Sequence, residues 1–125
     1  MIQNFRSLSI LSAALAAALF LTLLFMPGLV FWLFQIPGSE SAAFLSRRAA
    51  VLFLGFGILM WLVRNAEGSP MRRAICIGWG TTMVALAILG TLEFLRGFVG
   101  IGIFSAVFIE TFIGVSYLRL ARKKN

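Results

Sequence analysis

Residues 8–26 read LSILSAALAAALFLTLLFM, nineteen positions without a charged side chain. An apolar run of this length is enough, as a helix, to cross a hydrocarbon core about 30 Å thick. Pro27-Gly28 stops it, because proline has no amide hydrogen to continue the helical ladder. The flank before it carries one basic residue, Arg6, as a secretory signal would, and Ala16-Ala17-Ala18 imitates a cleavage site. The apolar run continues well beyond those alanines, so we read it as an uncleaved first span.

The same pattern recurs outward from there. The second span is expected over residues 43–63, with Arg47 and Arg48 near its start and Arg64 closing it. The third covers 74–95 and the fourth 98–118, separated at Gly97. Between the first two, residues 29–36 are too short to cross a bilayer, since eight residues rise only about 12 Å as a helix. Two readings fit this stretch: an extension of the first helix past a proline kink, or a short interfacial helix, a position that suits Trp32. The fold class is therefore all-α, an integral membrane four-helix bundle, up-and-down, forming a single domain over residues 1–125.

Composition agrees. The chain has 125 residues, of which 61% are apolar and 12% charged, with a mean hydropathy of +1.01. Four spans of about 20 residues use about 80, so no separate soluble domain fits beside them. No histidine is present, which excludes histidine-ligated haem, a Ser-His-Asp triad and a histidine proton relay. The single cysteine, Cys76, makes neither an internal disulfide nor a zinc site. We expect no cofactor and no metal.

Orientation follows from Lys and Arg near the span ends. Arg6, Arg64, Arg72, Arg73, Arg119, Arg122, Lys123 and Lys124 fall on one side, against Arg47, Arg48 and Arg96 on the other. Both termini are thus expected in the cytoplasm, where the excess charge meets anionic membrane lipids. The basic residues border apolar spans instead of forming a patch interleaved with aromatics, so nucleic acid is not an expected partner. Trp61, Trp79 and Tyr117 fall toward the same cytoplasmic ends, as an aromatic belt or as packing.

Glu110 is the residue that points to function. About twelve apolar or small residues precede it and about eight follow before Arg119, which sets it near the bilayer midplane; an ionisable group there is expensive and usually functional. Gly102, Ala106, Glu110 and Gly114 repeat every four residues along one helix face, and small residues in that pattern admit a neighbouring helix. Glu110 is read either as a proton-, cation- or ligand-binding carboxylate or as a structural one. Candidate partners are Thr81 and Thr82, at similar depth, and Arg48, about 10 Å outside the midplane at about 1.5 Å per residue. Arg47, Arg48, Glu93 and Arg96 share a level and form either an outer charged cluster or ordinary snorkelling side chains. The glycine pairs at 55 and 57, 78 and 80, and 100 and 102 are read as close helix packing.

Pro27 before an aromatic stretch, Phe44-Leu45-Ser46-Arg47-Arg48 leading into Leu52-Phe53-Leu54-Gly55-Phe56-Gly57, and a last helix with a glutamate resemble a group of small, uncharacterised four-helix bacterial inner-membrane proteins. The resemblance spans most of the chain and implies a fold without an activity. In size the chain is similar to small multidrug resistance transporters, which work as dimers. Their essential glutamate lies in the first helix, where this chain has none, and its charge bias argues against their dual insertion. The expected function is non-enzymatic binding or transport of a small or lipophilic ligand at Glu110, with a homo-oligomer or a partner membrane protein. Alternatives are a structural or assembly subunit and an intramembrane lipid-acting enzyme.

Overall fold

A computed structural model describes residues 4–122. It is all-helical, with α1 (Phe5–Phe25), α2 (Pro27–Phe34), α3 (Glu40–Leu62), α4 (Pro70–Leu95) and α5 (Ile103–Arg122). All but α2 are long and apolar enough to cross a membrane. Lys123 and Lys124, counted in the charge bias, lie outside the described residues.

Local chemistry sets the helix boundaries. Asn4, Ser39 and Ser69 each accept a hydrogen bond from a first-turn amide, those of Arg6, Ala42 and Arg72, which satisfies a donor the helix itself leaves orphaned. Pro70 and Pro27 follow their caps at the first helical position, where a missing N–H costs nothing. Met26, with φ −137°, separates α1 from α2, so residues 27–34 form a distinct helix after a one-residue break. The turn after α2 puts Gln35 in the left-handed region at φ 55°, and the Ile36 amide donates back to the Phe31 carbonyl at 3.0 Å.

The same device ends α4. Gly97 has φ +84°, the Gly97 amide donates to the Phe94 carbonyl and the Phe98 amide to the Glu93 carbonyl, both at 3.0 Å. This is a Schellman turn, in which glycine adopts the left-handed backbone that other residues resist. It displaces the last helix from its expected start. Residues 98–102 are a glycine-containing link, and α5 begins at Ile103 instead of residue 98. At its far end α5 runs past 118 to Arg122, with Arg119 and Arg122 in its last turn, where cations suit the helix dipole.

Packing divides the molecule into two antiparallel pairs, α1 with α3 and α4 with α5, with few contacts between the pairs. Small residues allow each close approach. A Cβ on Gly57 would meet the Ala16 Cβ at 3.3 Å and the Ala13 carbonyl at 3.5 Å. A Cβ on Gly80 would stand 3.1 Å from the Gly114 carbonyl, and one on Gly114 would stand 3.1 Å from the Gly80 carbonyl. The two backbones therefore pass glycine against glycine.

The pairs join at their two ends. At the arginine-rich end, Phe5, Leu8, Met60, Trp79, Ile113 and Tyr117 belong to one buried cluster drawn from all four long helices. Phe56 and Trp79 meet at a tilt with ring centroids 4.7 Å apart, and Phe5 meets Tyr117 edge-on at 6.3 Å. At the opposite end α2 meets the link before α5, where the Gly100 amide donates to the Phe34 carbonyl at 2.8 Å. The core is thus concentrated at one end and strapped at the other. Large side chains elsewhere point outward: Leu62 is 71% exposed, and Leu95 and Phe108 are each 74% exposed.

Candidate functional site

Glu110 lies midway along α5 and is half-buried. Seven residues separate it from Ile103 on one side and from Tyr117 on the other, and a straight helix drifts only about 20° over seven residues. Ile103 and Tyr117 are both buried, so the face that carries Glu110 looks into the molecule. Antiparallel register identifies what stands at its level. Counting from Gly114 opposite Gly80 leads to Val84 on α4, and counting from Tyr117 beside Ser12 leads to Leu19 on α1. Residues 83–87 and 15–19 are wholly apolar. Glu110 has no hydrogen-bond or ion-pair partner among the described residues.

The candidate partners are placed elsewhere. Thr81 and Thr82 are exposed, and the Thr82 hydroxyl donates to the Gly78 carbonyl of its own helix at 2.9 Å. Arg47 and Arg48 are exposed on α3. Of the outer charged group, the structure pairs Arg96 with Glu93 at 2.7 Å, one turn apart on α4, with no ion pair to Arg47 or Arg48 among the described residues. Of the stripe through Glu110, Gly114 packs on α4, and Gly102 lies against the Leu33 carbonyl at the end of α2 so closely that a Cβ has no room.

A polar node unforeseen in the sequence lies two turns from Glu110, about 10 Å along α5. The Tyr117 hydroxyl is 2.9 Å from Ser12 Oγ and donates to the Leu8 carbonyl at 3.2 Å. Ser9 Oγ donates to the Met60 carbonyl at 2.8 Å. All three side chains are buried. The signal was available in the spacing of Ser9 and Ser12, two hydroxyls one turn apart in an otherwise apolar span. Tyr117 and Trp79 are packed inside rather than at a rim, while Trp61 is exposed. The Trp79 indole nitrogen is buried without a hydrogen-bond partner among the described residues.

Around the same end, arginines hold the connections. Arg73 donates to the Ala121 carbonyl at 2.9 Å, Arg72 to the Ala66 carbonyl at 3.1 Å, and Arg6 to Asn65. No group of three or more metal-ligating side chains occurs among the described residues. Cys76 is a free, buried thiol. No family model, curated protein or solved structure matches this chain.

Proposed function

We propose that the chain is a multi-pass protein of a bacterial inner membrane, with both termini in the cytoplasm, that binds or moves a small lipophilic ligand at Glu110. The observation that carries this reading is an inward-facing carboxylate in mid-helix with no partner among the described residues. An ionisable group at that depth is costly when left alone, and a positively charged ligand or a proton would supply what the fold does not. The surrounding side chains offer apolar contact, which favours a ligand that is itself largely apolar. The path is proposed to run between copies of the chain. The resemblance to small four-helix inner-membrane proteins supports the placement and says nothing about the ligand.

An assembly subunit is the second reading. Beyond chain neighbours and their own helix backbone, Gly55 and Gly78 meet nothing among the described residues within 4 Å where a Cβ would stand, and such open small-residue surfaces would admit a foreign helix. An intramembrane enzyme is disfavoured, since the apolar levels facing Glu110 offer no second acid or base. Tetraphenylphosphonium flux in proteoliposomes under an imposed pH gradient tests the leading reading. Glu110→Gln is expected to abolish the flux; unchanged flux would refute it.

A further inference from the structure

The outer face of the α1/α3 pair carries a groove of about 410 Å³. Ala13, Ala14 and Ala17 of α1 and Gly57 of α3 form much of its floor, and Phe20 and Trp61 are among its walls. The groove exists because four small residues leave space between larger neighbours. Its lining is apolar throughout and extends along α1 from Ile10 to Phe20. Ten residues of helix rise about 15 Å, half of the roughly 30 Å hydrocarbon thickness of a bilayer. That is the depth of one leaflet.

Two cations stand at one end. Arg6 lies one turn before Ile10 on the same face of α1, and Arg64 lies in the turn just past the end of α3, three residues after Trp61. Arg6 donates to Asn65, the neighbour of Arg64, which ties the two arginine-bearing segments together across that end. The Arg64 guanidinium stacks 3.8 Å above the Trp61 ring and donates to the Trp61 carbonyl at 2.6 Å. Its Nε is buried without a hydrogen-bond partner among the described residues. Glu67, the acidic residue in the adjoining loop, makes an ion pair with neither arginine.

We propose that this groove holds one acyl chain of an anionic phospholipid, whose phosphate is bound by Arg6 and Arg64. The proposal rests on the membrane placement above and is independent of the role of Glu110. Charge selects this occupant over a second copy of the chain. A parallel copy related by an axis along the membrane normal would bring its own Arg6 and Arg64 to the same level, with a single loop carboxylate per chain, Glu67, to offset them. A phospholipid supplies an apolar chain of one-leaflet depth together with the opposite charge, and guanidinium is well suited to phosphate.

Native mass spectrometry of the full chain in detergent tests this, with phosphatidylglycerol and phosphatidylcholine of identical acyl chains as probes. One phosphatidylglycerol is expected to be retained at least tenfold more tightly than phosphatidylcholine. R6A/R64A should erase that preference, R6K/R64K should keep much of it, and R119A/R122A, which removes the same charge from α5, should leave it intact. Ala17→Phe, at an exposed position, should expel both lipids without altering helicity. Equal affinity in the wild type, or equal loss in R119A/R122A, overturns the site. A dimer that Ala17→Phe converts to monomer overturns it in favour of a second copy. Alkaline carbonate extraction of cell membranes separates the two levels of failure. Release of the chain defeats the membrane reading, whereas retention with equal lipid affinities defeats the lipid site alone.

Discussion

Ser12 of α1 and Tyr117 of α5 share a hydrogen bond of 2.9 Å between two buried hydroxyls, and it joins the two helix pairs where they meet. The Tyr117 ring fills the cluster while its hydroxyl also reaches the Leu8 carbonyl. Apolar packing sets how close the pairs come; this polar contact sets their register.

Tyr117→Phe keeps the ring and removes both bonds. A loss of about 0.6–2 kcal/mol is expected, the range for buried hydrogen bonds between membrane helices. Ser12→Ala should cost less, because the Tyr117 hydroxyl retains Leu8. Reversible unfolding in mixed micelles, arranged as a double-mutant cycle, checks the coupling; strictly additive losses would mean that the two hydroxyls are not joined.

The glycines divide into two classes. Gly80→Ala and Gly114→Ala place a methyl group 3.1 Å from the carbonyl of the opposing helix, and overpacking of that kind costs about 1–3 kcal/mol. Gly55→Ala and Gly78→Ala meet open space and should be neutral or stabilising by up to about 1 kcal/mol, since alanine is the better helix former. Equal effects in both classes, read from thermal unfolding in detergent, would contradict the glycine-on-glycine crossing.

That division shows where the sequence was legible. Hydropathy located four long helices because the spans are continuous and the breaks are marked by Pro27, Pro70 and Gly97. It misplaced the start of α5, because the Schellman turn at Gly97 is local backbone chemistry that leaves no trace in hydropathy. The glycine pairs were recognisable as packing residues. In the two helical pairs, which member faces a neighbour depends on helix phase: Gly57 and Gly80 are covered, while Gly55 and Gly78 are open. Gly100 and Gly102, in the link before α5, are both covered by Gln35 and the end of α2. Glu110 stood out through its rarity. Its neighbours did not, because equal depth brings two side chains together only if their helices turn them toward each other, and Thr81 and Thr82 face away from the interior. Ser9 and Ser12 were passed over because serine lowers hydropathy too little to interrupt a span.

The strap between α2 and the link before α5 depends on Gly102, which leaves no room for a Cβ beside the Leu33 carbonyl. Gly102→Ala should loosen the strap and raise hydrogen exchange at the Gly100 amide, which donates to the Phe34 carbonyl. Gly28→Ala, with nothing nearby, should leave that exchange unchanged. Unaltered protection in Gly102→Ala would place α2 elsewhere.

Orientation is accessible through single cysteines in a Cys76→Ala background. Ser41→Cys, exposed at the start of α3, should react with a membrane-impermeant maleimide added to intact cells. Glu67→Cys, exposed in the loop between α3 and α4, should react only after permeabilisation. The reverse pattern would place the termini outside.

The central claim is that the Glu110 carboxylate is not held by the fold and is free to serve a ligand. Thermal unfolding of wild type and Glu110→Gln in mild detergent addresses it most directly. A carboxylate without a partner among apolar neighbours contributes nothing to the bundle, so the glutamine variant should unfold at the same temperature or a higher one. A midpoint several degrees lower would show that Glu110 holds the helices together, and would contradict the account.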